Sequence, residues 1–597
     1  MNKNEILGFI LIGLVLIVWM WIQTPSPRHV ENPVIDSSHT QAQESAEIPS
    51  RVSANTLGDS GGSSPDSLGK FFSHLTAGKE EVLVIRTDRY TAEVTTRGGL
   101  LRKWELNDYE TWDGYPVQMV DPDGGGDFST LFLSTDGKEI RTRALYFSAG
   151  YKNGDQVTLS EDESITVTFV LPVSSTKRIN KRLTFRNGTY TCDAEIELVN
   201  LSGVLSNYEY QVTWETGVRY AEQNSVDESS FAMAYAYAGG ELAEVDASSS
   251  ELLQRDINGS TSWVATRNKY FAVAMIPGDN SCQGAYIEGH HSAMPDQGVK
   301  EEYSLSLKMP FKELSKETGK VKLFIGPLQF DLVKTQAKDL EKIISLGAEW
   351  IIRPISEFFM IPLFNLLHVF IPNFGVVIIV FSIIIKILLH PLSKWTMKSM
   401  KRMQSLQPLM NEIREKHKDD PAKMNQQIMN LYKEYGVNPA AGCLPLLLQM
   451  PILFALYQVF RSSIELRQAS FFLWMNDLSV PDVAYTLPFS LPLLGISDVS
   501  GLAVAMGVTM FVQQKMTVTD PRQKAMVWLM PIMMTILFNG LPSGLNLYYF
   551  TFNLLSIAQQ VWLKKHPDDE PLRKVDPKKK PGGLIARLTS DLPKVRR

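Results

Sequence analysis

The chain has 597 residues and a formal net charge of -5. That length holds several domains, and the charge total says little about partners because the basic residues are clustered. Its three cysteines, Cys192, Cys282 and Cys443, form no CxxC, which excludes a disulfide-dense scaffold and a cysteine zinc site.

The amino end runs from Ile6 to Ile22 without a charge. No small-residue cleavage site follows, and Trp19 and Trp21 sit where interfacial aromatics sit. Residues 1–22 therefore read as an uncleaved membrane anchor. Residues 23–80 are rich in Ser, Gly, Pro and acids and read as a disordered linker.

From Glu81 the pattern changes to a period of two. Ile165, Val167 and Phe169 alternate with threonines, Cys192 to Leu198 alternate with polar residues, and Val321, Leu323 and Ile325 repeat the pattern. Turn signals punctuate the strands at Arg97-Gly98-Gly99, residues 121–127, Asn153-Gly154 and Asn187-Gly188. Residues 81–335 are expected to form one β-sandwich. No paired carboxylates or Ser-His spacing stands out there, and no metal-ligand cluster is expected. Cys192 reads as a buried thiol, with a Cys192–Cys282 bridge left open. Leu332 to Leu346 turns helical.

Trp350 to Ile371 is apolar but broken by Arg353, Pro354, Glu357 and Pro362, which favours a helix lying in the membrane interface. Phe374 to Pro391 follows. Apart from Ser382 it is apolar for twelve residues and then carries Lys386. A lysine inside a span costs roughly 2.5–3.5 kcal/mol at the centre. It either snorkels to the headgroups, about 7.5 Å away along the helix, or faces water or a partner inside the protein. Position alone leaves both readings open. Ser382, Gln449, Asn546, Asn553, Gln559 and Gln560 either glue helices together or line a hydrated recess with Lys386.

Residues 394–438 read as a basic, amphipathic hairpin of two helices broken at Asp419-Asp420-Pro421. Met397, Met400, Met403 and Met410 recur on one face, as adaptable apolar surfaces do, although the two faces packing on each other explains the same spacing. Four more apolar segments follow: Ala440–Phe460, Val499–Val512, Met526–Phe538 and Leu541–Leu563. The last two are separated by a tight turn. The tail after Leu563 carries eleven Lys and Arg against five Asp and Glu. Basic residues in the hairpin, the loop at 515–524 and the tail place both chain ends on the cytoplasmic side.

Several ordered blocks carry a family resemblance: GCLPLLLQMPILFALYQVF at 442–460, ELRQASFFLWMNDLS at 465–479, MGVTMFVQQKM at 506–516, TDPRQKAMVWLMPIMM at 519–534 and LPSGLNLYYF at 541–550. They resemble the YidC-type membrane protein insertases in their Gram-negative form. The resemblance implies an α-helical polytopic membrane protein, with a five-span core over 350–563 behind an N-terminal span and a large periplasmic β-sandwich domain. It implies residence in the bacterial inner membrane, both termini cytoplasmic and residues 23–350 periplasmic. It also implies insertion of nascent membrane proteins, alone or beside the Sec translocon, with no catalytic residues, cofactor, metal or small-molecule substrate. The bilayer is a partner, and the basic tail at 564–597 resembles those that touch ribosomes.

In this family a groove open to cytoplasm and lipid carries a positive residue in the first core span. Many members have arginine there; this chain has Lys386, which keeps the charge but loses the guanidinium fork. Lys386, Ser382, Gln449, Met450, Tyr548 and Tyr549 are the expected groove and client-binding residues. Two other classes fit the composition: a transporter or channel, and a membrane-tethered periplasmic carbohydrate-binding protein. The first wants an intramembrane acid to pair with the lysine, and the expected spans contain none.

Overall fold

The computed structural model describes residues 68–565, apart from 250–251, 279–281, 296–297, 419, 438–443, 490–495 and 518–523. The expected anchor at 1–22 and the tail beyond Lys565 lie outside the described residues. The chain divides between Ser345 and Leu346 into two compact units.

The first unit is built of β-structure. Its alternating segments become antiparallel sheets of five, nine and six strands, with one parallel pair joining Val82–Arg86 to Asp155–Thr158. In the nine-stranded sheet, Cys192 faces Leu323 and Ala194 faces Val321 across the ladder, so the apolar face of one strand meets that of the next. The nine- and six-stranded sheets stack through strands Met233–Ala238 and Thr261–Arg267 on one side and Gly284–Ala293 and Val299–Pro310 on the other. Trp214, Trp263 and Tyr303 are buried to 1% exposure or less. Turn chemistry falls where the sequence places it. Gly98 has φ 72°, and a Cβ there would lie 2.7 Å from the Arg143 backbone, so only glycine fits.

Two expectations change in this unit, and one open question closes. The linker ends earlier than residue 80: Leu68, Phe72 and Leu75 share one face of a short helix and 3-10 turn and are buried, with Phe72 edge-on to Phe132 at 5.4 Å. Three apolar residues at steps of four and three were enough to dock that end of the linker. The helix expected over 332–346 stops at Gln336 and resumes as a 3-10 turn at Leu340–Ile343. Sheet contacts break it. Trp263 Nε1 donates to the Lys338 carbonyl and Tyr237 donates to Asp339, which adopts φ 63°. The bridge left open between Cys192 and Cys282 does not form: both thiols are free and buried, Cys192 in the strand Thr191–Val199 and Cys282 two residues before the strand Gly284–Ala293, where it directs its thiol to the Gly284 carbonyl.

The second unit is helical. A rod from Ile352 to Phe370 ends in α1 (Ile361–Phe370) and contains a wide π turn at Ser356–Met360. Pro362, which cannot donate a helical hydrogen bond, follows that bulge directly, and the Arg353–Glu357 pair spans its start at 3.6 Å. Then come α2 (Phe374–Leu388), α3 (His390–Ser405), α4 (Gln407–Lys416), α5 (Pro421–Glu434), α6 (Leu444–Ser462), α7 (Gly501–Thr517), α8 (Lys524–Phe538) and α9 (Ser543–Lys565). The first arm of the hairpin is therefore two helices rather than one. It begins at His390, directly behind α2, and breaks at Leu406, two residues before Pro408.

The five core spans expected behind the β-domain overlap α2, α6, α7, α8 and α9, yet among the described residues no helix is long and apolar enough to cross a membrane. Helix α2 has 15 residues, about 22 Å of rise against a hydrocarbon core of ~30 Å. Helix α9 has the length but spends it on Asn546, Asn553, Ser556, Gln559 and Gln560. The polar residues of α9 face those of the neighbouring helices.

Candidate functional site

Helices α2, α7 and α9 point the same way. Their N-termini meet the segment 463–500. Asn373 Nδ2 at the start of α2 donates to the Ser470 carbonyl, the Leu502 amide in the first turn of α7 donates to Asp482, and Ser543 at the start of α9 donates to the Asp477 carbonyl. Asp482, 4% exposed, also accepts from Trp474 Nε1 and the Ser500 hydroxyl. A buried carboxylate at a helix N-terminus is favoured by the helix dipole and by its amide donors. This end of the unit is stitched shut by the loop.

Between the three helices runs a polar seam. Asn546, Asn553, Ser556 and Gln560 fall at steps of seven, three and four on α9, hence on one face. Thr509, Gln513 and Thr517 fall at steps of four on α7. Asn553 Nδ2 lies 3.5 Å from Thr509 Oγ1, and Gln560 Nε2 donates to Thr517 Oγ1 at 3.2 Å. At the far end Gln559 Nε2 meets His390 Nδ1 at 3.1 Å, and Gln404 of α3 donates to the Thr517 carbonyl.

Lys386 joins this seam. Its ammonium donates to Ser556 Oγ at 2.6 Å and stands 4.5 Å from the centre of the Phe552 ring. The Ser556 hydroxyl passes its own proton to the Phe552 carbonyl at 2.8 Å, which leaves its lone pairs toward the lysine. A hydrogen bond to a charged group contributes roughly 1.5–3 kcal/mol. A cation over an aromatic face adds about 0.5–2 kcal/mol. Together they are similar in size to the roughly 2.5–3.5 kcal/mol that a lysine costs at the centre of a span, and Lys386 lies in the last turn of α2. No carboxylate is needed, and α2, α6, α7, α8 and α9 contain none. The side chain turns inward to α9 instead of snorkelling.

The other expected site residues divide. Tyr548 is fully buried, within 6.3 Å of Phe381, and its hydroxyl finds no partner among the described residues. Tyr549 is half-buried, edge-on to Tyr548 and Phe538. Gln449 and Met450 are half-buried on α6. Ser382 is buried and its hydroxyl bonds back to the Ile378 carbonyl at 2.7 Å. That bond is spent inside its own helix. Phe552 and Ser556 were missed by sequence reasoning. The signal was present: Ser556 lies three residues after Asn553 and four before Gln560.

In the hairpin, Met410 is buried with Leu406, Leu431 and Val437, and Met403 packs against them. Met397 is half-buried. Of Met400 only its place in α3 is described. So Met403 and Met410 join the arms of the hairpin, while Met429, 47% exposed, faces outward.

Two family models match the chain, the YidC periplasmic domain over residues 82–359 and the 60Kd inner membrane protein over residues 366–570. The membrane protein insertase YidC of Chlorobaculum parvum is 39% identical over 577 residues, covering 96% of each chain. That of Chlorobium luteolum is 38% identical over 594 residues, covering 98% of this chain and all of its own. A crystal structure of an active YidC insertase with its first transmembrane domain resolved is 23% identical, with a TM-score of 0.35, over 82% of this chain and 96% of that one. The chain belongs to the YidC family of membrane protein insertases.

The hairpin generates a test. Met410→Ala should cost the hairpin about 2–5 kcal/mol through the cavity it leaves. Met429→Ala should change it by less than about 0.5 kcal/mol. Hydrogen exchange of the α4 and α5 amides in the full-length protein reads both. Equal loss of protection would contradict the packing.

Proposed function

We propose that this chain inserts nascent membrane proteins by lending them the Lys386 charge, held on the seam of α2, α7 and α9. The observation that carries the reading is an ammonium bonded to a hydroxyl and an aromatic ring, in helices without a single acid. A client's polar outer segment is costly to bring into hydrocarbon. A seam with one positive charge and several amide side chains lowers that cost, most for acidic segments. Clients' apolar segments then pass sideways into lipid, a downhill step that needs no nucleotide and no bond chemistry. Gln449, Met450, Tyr548 and Tyr549 would line the path from the α6 and α9 sides, and Ser382 would act from behind by packing α2.

The polarity of the bundle supports a groove facing the cytoplasm. The segment 463–500 stitches shut one end of α2, α7 and α9, while His390, Gln404 and Gln559 meet at the other, beside the basic hairpin. By the positive-inside rule that second end faces the cytoplasm, with both termini, and the β-domain faces the periplasm of the inner membrane. Work alone or beside the Sec translocon is consistent with a laterally open site. The hairpin and the tail would meet ribosomes through RNA phosphates.

Lys386→Arg should preserve insertion, since charge is retained. Lys386→Ala should slow it at least tenfold for a client with an acidic outer segment, and by less than about twofold for one with a short neutral segment. Insertion into proteoliposomes measured by protease protection decides this. An alanine variant as fast as the parent on both clients would remove the charge from the mechanism. For the tail, a truncation after Pro567 should lose most low-salt ribosome binding, and binding by the full chain should fall steeply with salt. Undiminished binding by the truncated chain in a sedimentation assay would rule the tail out as the contact.

A further inference from the structure

The seam contains a choice that the proposed function does not explain. A cation buried between helices is ordinarily balanced by a carboxylate. Here the position facing the ammonium is Ser556, whose Oγ is 2.6 Å from Lys386 Nζ, and the only other described partner is the Phe552 ring. Both stand on one turn of α9, four residues apart, and the serine is fixed by its own bond to the Phe552 carbonyl. Ser556 is 2% exposed and Phe552 8% exposed, so neither rotates freely.

We infer that Ser556 is the specificity-determining residue of the site: it holds Lys386 in place while leaving its charge uncompensated, so that the client supplies the counter-charge. The inference rests on the reading of Lys386 as the client's contact and goes one residue further.

The physics separates three partners for the lysine. A carboxylate at position 556 would hold the ammonium as well or better, but would cancel its field at distances beyond the pair. An alkyl side chain would leave the field intact but would not hold the ammonium against rotation toward the headgroups. A hydroxyl does what neither does. It accepts one hydrogen bond, carries no net charge and leaves two ammonium protons for another acceptor. Phe552 works with it, since a ring face attracts the cation without neutralising it. An arriving carboxylate can therefore bind to Lys386 without displacing a competing anion. Among the described residues, Asn553, Gln560, Thr509 and Thr517 pair with one another and not with Lys386.

The test uses the full-length protein in proteoliposomes and two clients that differ only in whether the outer segment carries acids or their amides. The readout is the ratio of their insertion rates, acidic over neutral. Ser556→Asp should lower that ratio about tenfold, as Lys386→Ala does, because the charge is cancelled in place. A purely structural fault would slow both clients alike and leave the ratio where it was, and that result overturns the inference. Should Ser556→Asp fail to accumulate in the membrane, the exchange Lys386→Ser with Ser556→Lys puts the same two groups on opposite helices. It should restore the ratio to within about threefold of the parent, against the low ratio of Lys386→Ser alone. An exchange variant that stays low overturns the inference too. The two readings fail differently. If Lys386→Ala leaves the ratio unchanged, the charge mechanism itself is wrong. If Lys386→Ala lowers the ratio and Ser556→Asp does not, only the assignment of Ser556 is wrong.

Discussion

One cation without an anion organises the helical unit. A lysine in the last turn of an apolar helix is held here from the neighbouring helix: the hydroxyl of Ser556 and the ring of Phe552 hold Lys386 at 2.6 and 4.5 Å. That arrangement fixes the rotation of α2 against α9, because a turn of either helix would break both contacts. It also explains the polar faces nearby. With α9 locked, Asn553 and Gln560 meet Thr509 and Thr517 of α7, and the three helices close into one polar seam. Side-chain hydrogen bonds between helices of this kind contribute about 0.6 kcal/mol each in membranes, so the seam is held by several weak bonds and one stronger one.

The ends of that seam are unlike. At the N-termini of α2, α7 and α9 the loop supplies Asp482, Ser500 and Trp474, a closed network with a buried carboxylate. At the other end the groups are neutral amides and an imidazole, and the basic hairpin begins one residue after the cap of α2. The hairpin itself is a small folded unit. Its buried residues join the two arms, and Met429 faces outward, free of that cluster.

Much of this was legible in the sequence, and the exceptions are instructive. Period-two alternation at Cys192–Leu198 and Val321–Ile325 located paired strands of the sandwich, because burial on one face leaves a direct trace. Lys386 stood out because a charge in an apolar run must either snorkel to the headgroups or be held inside the protein. What stayed hidden depends on contacts distant in the chain. Ser556 is 170 residues from Lys386, and a serine in a helix gives no hint of its partner. Ser382, one turn from Lys386 and expected to share its surroundings, satisfies itself on Ile378. The helix at 332–346 was broken by Trp263 and Tyr237, which local propensity cannot see. The opposite error occurred at Leu68, Phe72 and Leu75, where a polar composition masked three apolar residues on one face.

The central claim is that a client segment meets the protein at Lys386. A photoreactive benzoylphenylalanine in place of Phe552 keeps the aromatic ring against the ammonium and reports what arrives there. With ribosome-stalled membrane protein clients, the account predicts adducts from position 552 to the client's polar outer segment, and weaker ones when that segment is neutral. Adducts from the outward-facing position of Trp528, 63% exposed, together with none from 552, would contradict it.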